Sequence, residues 1–128
     1  MRAFMTRWFA RFARKERIED DQLRNAVRRA EQVSVDADLG GGVIKRRIAR
    51  AGGGKSGGYR SLIAFHRGKQ TVFIYGFAKN QRDNVSATEL EDLKKLARRF
   101  LTLNEDQVAT ALKEGELKEI DCNGHQQH

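Results

Sequence analysis

The chain has 128 residues, 39% of them hydrophobic, and a formal net charge of +8 at pH 7. That length suits one packed domain with one core, and the hydrophobic content excludes a disordered basic tail. The chain has no apolar run of the roughly 18 residues that a membrane span needs, and Arg7, Arg11 and Arg14 interrupt the start as they would not in a signal peptide. The single cysteine, Cys122, cannot form an internal disulfide, so we expect a cytoplasmic protein.

The N-terminal part is predicted to form one short strand and two helices. Residues 2–6 suit the strand, and Thr6 can cap a helix that runs to about Lys15. Apolar residues at helical spacing predict a second helix over 20–34. Glycines at 40–42 then reverse the chain, because they accept positive φ angles.

Three strands are predicted next, over residues 43–51, 59–66 and 70–78, where β-branched and aromatic residues are dense. Their connections are short, which requires antiparallel pairing, since parallel strands need long crossovers. The end of each strand then lies beside the start of the next.

Two capping boxes predict the C-terminal helices. Ser86 with Glu89 starts a helix that reaches about Leu101, and Asn104 with Gln107 starts another that Gly115 ends. The domain is therefore expected to span residues 1–115, and residues 116–128 are expected to form a frayed tail.

The charge is concentrated in the middle of the chain. Between Val43 and Arg82 there is no Asp or Glu. A field of one sign over forty residues indicates a polyanionic partner, RNA or DNA. The ten basic residues of this stretch are Lys45, Arg46, Arg47, Arg50, Lys55, Arg60, Arg67, Lys69, Lys79 and Arg82.

Residues 49–56 fit a relaxed phosphate-loop pattern, but the interpretation as a nucleotide-binding loop is disfavoured. In such loops the lysine and serine open a helix, whereas here Gly57 and Gly58 and a β-rich stretch follow. Lys55 is better interpreted as a phosphate contact.

The candidate catalytic group is a set of cations that the strand ends are expected to bring together. An RNA phosphodiester can be cut by its own 2′-hydroxyl, without metal, if a base takes the hydroxyl proton and cations stabilise the phosphorane. Neighbouring positive charges lower the pKa of a lysine, which makes a lysine base possible. Lys45 and Lys79 are the candidate bases. The predicted catalytic residues are Lys45, Arg47, Arg60, Lys79 and Arg82, and the predicted RNA contacts are Arg46, Arg50, Lys55 and Tyr59.

In order and spacing, the motifs VIKRRIAR (43–50), GGYR (57–60) and IYGFAKNQRDN (74–84) resemble RelE-like toxins of bacterial type II toxin–antitoxin systems. The likeness covers about residues 1–103 and is greatest to the HigB-like branch. It implies an α+β fold, with a twisted antiparallel sheet, two N-terminal helices packed on one face, and C-terminal helices. It further implies an endoribonuclease, free of metal and cofactor, that cuts mRNA in the ribosomal A site.

The resemblance also implies residue roles and a partner. By position, Arg60 would stabilise the transition-state phosphate, while Lys45 or Arg47, together with Lys79, would transfer protons or neutralise charge. Ser86 stands where some relatives have a tyrosine, so the general acid stays open. The implied partner is an antitoxin, often with a helix-turn-helix, and the C-terminal acidic residues are a candidate part of its contact: Glu114, Glu116 and Glu119.

One alternative dispenses with catalysis. The same scaffold occurs in ParE-like gyrase poisons, and a plain nucleic-acid-binding module would also present a basic sheet. Neither needs a lysine base, so substitution of Lys45 distinguishes them from a nuclease.

Overall fold

The computed structural model describes residues 2–31, 37–48, 58–66, 70–82 and 84–120. Ten elements follow one another along the chain. They are β1 (Ala3–Thr6), α1 (Arg7–Glu16), α2 (Asp20–Glu31), β2 (Ala37–Gly40), β3 (Val43–Ile48), β4 (Tyr59–Phe65), β5 (Thr71–Ala78), α3 (Ala87–Leu101), α4 (Glu105–Lys113) and β6 (Leu117–Ile120).

The strands form one six-stranded sheet in the order β2-β3-β4-β5-β1-β6. Every neighbouring pair is antiparallel except β1 with β5. The chain between those two strands passes through two helices and three strands, which is the long connection that a parallel pair requires. The predicted α+β class with a twisted antiparallel sheet is confirmed, and the parallel pair of β1 with β5 was not predicted.

Helices cover both faces of the sheet. The face under α1 and α2, here called the α1 face, buries Phe9, Leu23, Ile44, Ile63 and Phe73. The face under α3 and α4, here called the α3 face, buries Phe4, Leu62, Val72, Ala97 and Phe100. Burial of apolar side chains on both sides is the main stabilising term of this fold.

The predicted helix starts are confirmed in atomic detail. The Thr6 hydroxyl accepts a hydrogen bond from the Phe9 N–H at 3.1 Å. Ser86 with Glu89 and Asn104 with Gln107 both form complete capping boxes. These side chains satisfy amide groups that a helix start would otherwise leave without partners.

Two short strands were not predicted. β2 pairs with β3, and β6 pairs with β1 from Leu117 to Ile120. Both of those β6 end residues are buried, whereas Lys118 and Glu119 between them are exposed. Residues 117–120 of the expected tail therefore belong to the sheet, and residues 121–128 lie outside the described residues.

Other predicted ends lie outside the described residues, namely residues 32–34 of the second helix and 49–51 of the first long strand. Within the ranges that are described, no helix combines the length and the apolar character that crossing a membrane would require.

Candidate active site

The register of three strands brings the predicted cations of the sheet onto one face. Lys45 lies opposite Leu62, and Arg47 lies opposite Arg60. Directly paired residues share a face and alternate residues return to it. Lys45, Arg47 and Arg60 therefore all lie on the α3 face.

The third strand, β5, completes two rows across this face. Tyr75 lies opposite Leu62, and Phe77 lies opposite Arg60. One row is thus Lys45–Leu62–Tyr75 and the other is Arg47–Arg60–Phe77. We call these six residues the cationic face.

The charged side chains of the cationic face differ in exposure. Arg47 is exposed, while Lys45 and Arg60 are half-buried. Lys79 follows β5 directly and is exposed, and its backbone N–H donates to the Gly58 carbonyl at 3.1 Å. This bond holds Lys79 beside the start of β4, two residues from Arg60.

Arg82 lies over the aromatic edge of the cationic face. Its guanidinium is 5.7 Å from the centre of the Phe77 ring and donates to the Tyr75 hydroxyl at 3.4 Å. Two further hydrogen bonds, at 2.6 and 3.2 Å, join it to the Glu89 carboxylate. The hydrogen bonds from Arg82 and from the Ser86 backbone lower the pKa of Glu89 to about 2. The positive charge of Arg82 is therefore balanced, and the residue ties β5 to the start of α3.

A family model described as the RelE toxin of the RelE/RelB toxin–antitoxin system matches residues 1–120. The chain belongs to the RelE toxin family. It is accordingly a toxin of a toxin–antitoxin system, and its partner is an antitoxin. The match ends at Ile120, the last residue of β6. No curated protein matches the chain.

In this RelE-family toxin, two of the predicted RNA contacts lie away from the cationic face. Arg46 and Tyr59 lie on the α1 face, where they are 1% and 5% exposed. The Tyr59 hydroxyl donates to the Glu16 carbonyl at 3.4 Å, and the Ser61 hydroxyl donates to the Arg46 carbonyl at 2.8 Å. Both residues therefore lie on the opposite face of the sheet from the cationic face. Arg50 and Lys55, with the rest of the phosphate-loop pattern, lie outside the described residues and stay predictions.

The sequence did not indicate which face of the sheet carries Tyr75 and Phe77. β5 carries an extra residue, Ile74, because Leu62 pairs with Tyr75 while Ile63 pairs with Phe73. Phe73 packs on the α1 face, so uninterrupted alternation would place residues 75 and 77 there too. The bulge instead turns Tyr75 and Phe77 to the α3 face, an effect that bulges commonly have beside functional sites. No signal in the alternation pattern reveals it.

Glu89 and Trp8 also belong to the surroundings of the site. The capping box identified Glu89 as part of a helix start, but the sequence did not indicate that Glu89 pairs with Arg82. The Trp8 ring stacks on the Tyr75 ring with centroids 4.6 Å apart. Such a close approach of α1 to β5 needs Gly76, where a Cβ would lie 2.6 Å from the Phe12 ring.

The described ranges contain no group of three His, Cys, Asp or Glu side chains arranged to hold a metal ion.

Proposed function

We propose that this toxin is a ribosome-dependent endoribonuclease that cleaves mRNA in the A site without a metal ion and thereby inhibits translation. The observation that supports it is the two-row arrangement of Lys45, Arg47 and Arg60 on one sheet face. Such a face offers two planar donors and one amine to a single strand of RNA, whose phosphates suit bidentate arginine contacts.

Arg47 and Arg60 are proposed to hold the scissile phosphate. They stand directly opposite one another on neighbouring strands, and like charges in that position repel. A phosphate between them relieves the repulsion. The attraction between the two arginines and the phosphate is greatest when the phosphorane carries its extra negative charge. Arg60 is the more enclosed of the two, with Phe77 on its other side.

Proton transfer is assigned to the two lysines. In the proposed reaction Lys45 takes the proton of the ribose 2′-hydroxyl, and that oxygen attacks the neighbouring phosphorus. The bond from phosphorus to the 5′-oxygen breaks, and Lys79 gives the leaving oxygen a proton. The products are a 2′,3′-cyclic phosphate and a 5′-hydroxyl.

Arg82 is proposed to position other side chains of the site and not to contact the reacting phosphate. Its contacts with Glu89 and the Tyr75 hydroxyl hold the aromatic edge of the face in place. Its own charge is balanced by Glu89, so its proposed role is to position the aromatic side chains.

The deciding experiment is Arg60→Ala in a translation reaction with purified ribosomes, followed by mapping of mRNA ends. Wild-type toxin is expected to cut ribosome-bound mRNA, and the variant to cut at least about 100-fold more slowly, since it loses a donor to the developing charge. Arg11→Ala is the matched control, because Arg11 is exposed on α1, on the other side of the sheet. Intact mRNA at saturating wild-type toxin contradicts the proposal, and gyrase-dependent DNA breaks would favour the ParE-like alternative.

A further inference from the structure

A groove of about 630 Å³ lies on the α3 face next to the cationic face. Pockets of about 300–1,000 Å³ are the usual size for small organic ligands. Tyr75 belongs to both the groove and the cationic face, so the two surfaces are continuous. The aromatic and aliphatic lining residues are Trp8, Ile74, Tyr75, Leu93, Leu96 and Phe100.

Trp8 is the most accessible aromatic side chain of this lining. It is 40% exposed, and among the described residues it is the one large hydrophobic side chain that is exposed. Its ring stacks on that of Tyr75, with centroids 4.6 Å apart and planes 27° apart. An exposed indole at the border of a positively charged surface is a typical platform for stacking an unpaired nucleic-acid base.

The aromatic platform is held in place by contacts within the chain. Trp8 also stacks on Phe12, with centroids 5.7 Å apart. The Tyr75 hydroxyl accepts a hydrogen bond from Arg82 at 3.4 Å, and Arg82 is bound in turn by Glu89. A preformed surface of this kind spares a ligand the entropy loss of ordering it.

Charge differs between the two sides of the groove. Beyond Tyr75 lies the cationic face, with Arg60 opposite Phe77. On the other side the groove is lined by the carboxylate-bearing residues Glu114 and Glu116. Carboxylates repel a phosphate, but they can accept hydrogen bonds from the amino groups of an uncharged base. This polarity therefore suits a nucleotide whose phosphate stays on the cationic face and whose base enters the groove.

The distance between the two surfaces fits one nucleotide. Phe77, which faces Arg60, lies two residues from Tyr75 on β5, or about 7 Å along the strand. The ribose and base attached to a phosphate at Arg60 can span that separation. Leu93 and Leu96 are half-buried, so they offer apolar surface to the base. A base in a duplex is already paired, so the occupant is a base of a single strand.

We propose that this groove takes one unpaired nucleobase of the bound RNA, stacked against Trp8, while the neighbouring phosphates remain on the cationic face. Because stacking tolerates every base, Trp8 fixes the position of the strand and does not select one base. The inference rests on the proposed function only in requiring that single-stranded RNA binds the cationic face, and it does not require cleavage.

The first test uses the wild-type toxin, because Trp8 is its single tryptophan. The probe is a short 2′-O-methyl RNA, and fluorescence anisotropy of a terminal dye follows its binding. A base stacked on the indole is expected to reduce Trp8 emission and its quenching by acrylamide. Trp8 emission that is unchanged at saturating probe concentrations, whether or not anisotropy reports binding, overturns the proposal.

A probe without bases is the matched control. It has the same 2′-O-methyl sugars and phosphates, so its contacts with the cationic face are retained. It is expected to leave Trp8 emission at the level of the free toxin. Equal changes in emission with both probes would show that phosphate binding alone alters Trp8, and the proposal would be wrong.

The second test removes the stacking surface. Trp8→Leu is expected to weaken affinity for the probe with bases by about 5- to 150-fold, the usual effect of losing one base–aromatic stack. Trp8→Phe keeps a ring and is expected to retain most of the affinity. Neither variant is expected to change affinity for the probe without bases.

The comparison between probes separates stacking from a structural role of Trp8. An equal loss of affinity for both probes in Trp8→Leu would mean that Trp8 only supports Tyr75, which contradicts the proposal. Thermal melting checks that the variants fold, and if Trp8→Leu does not fold, the emission of the wild-type toxin decides.

The base site and the nuclease can fail separately. A wild-type toxin that leaves ribosomal mRNA intact refutes the nuclease, but the Trp8 measurements still decide the base site, because 2′-O-methyl probes lack the attacking hydroxyl. Cleavage of mRNA by a toxin whose Trp8 emission does not respond to the probe refutes the base site alone.

Discussion

At the residue scale, Lys45, Arg46 and Arg47 show how strand geometry places neighbouring residues of the same charge on different faces of the sheet. Lys45 and Arg47 lie on the cationic face, while Arg46 between them is 1% exposed on the α1 face. Successive residues of a strand point to opposite faces. The count of positive charges in this stretch therefore overstates the number that share the cationic face.

Lys45→Arg tests the proposed role of Lys45 as a base. Arginine keeps the positive charge but does not give up its proton at neutral pH. We expect cleavage of ribosomal mRNA to fall by at least about 100-fold, the usual contribution of general base catalysis, while affinity for 2′-O-methyl RNA is retained. Lys95→Arg on α3 is the control. Full cleavage by Lys45→Arg would leave Lys45 as a phosphate contact only.

At the element scale, the start of α3 joins stability to the site. Glu89 completes the capping box with Ser86 and also holds Arg82 against Tyr75 and Phe77. A change at this helix start is therefore expected to affect both the fold and the aromatic edge of the cationic face.

The pKa of Glu89 predicts a pH dependence for this element. The hydrogen bond from Arg82 and the backbone hydrogen bond of Ser86 lower that pKa from 4.5 to about 2. Because the folded value is the lower one, the stabilisation is complete above about pH 4.5 and is lost as the pH falls towards 2.

Glu89→Gln measures this contribution, since glutamine keeps the capping box but has no charge. The wild type is expected to have the larger free energy of unfolding at pH 6, and the difference should shrink as denaturant melts are repeated down to pH 2. A difference that does not vary with pH would show that the ion pair adds nothing to stability.

At the scale of the whole molecule, the charge of +8 acts as a local field and not as a general property. Acidic side chains elsewhere are used within the fold, as in the pairs of Glu119 with Arg2 and Glu116 with Arg99. The cationic face itself carries three positive side chains, Lys45, Arg47 and Arg60, and no carboxylate.

Salt dependence of RNA binding tests that localisation. Each phosphate contact with a single strand contributes about −0.7 to the slope of log K against log salt, so contacts from Arg47, Arg60 and Lys79 predict about −2. Arg60→Ala should make the slope shallower by about 0.7, and Arg11→Ala should leave it unchanged. Fluorescence anisotropy with a 2′-O-methyl RNA measures the slopes, and equal slopes for both variants would contradict a localised site.

Local chemistry determined much of this protein from sequence alone. Helix starts were predictable because a capping box is complete within four residues, as Ser86 and Glu89 show. The three long strands were predictable from the spacing of their side chains. The meeting of their basic residues at one end of the sheet was also predictable, because short connections make consecutive strands pair antiparallel. The family resemblance added the partner, an antitoxin.

Only the tertiary structure decided on which face of the sheet each residue lies. The extra residue Ile74 turns Tyr75 and Phe77 towards the cations, and β6 exists because Leu117 and Ile120 find buried positions beside β1. Both features depend on contacts with residues distant in the sequence. A four-residue strand such as β6, or a one-residue bulge such as Ile74, leaves too weak a pattern in the local sequence to be recognised. Burial of Arg46 and the groove beside Trp8 have the same cause, since they arise where separate elements pack together.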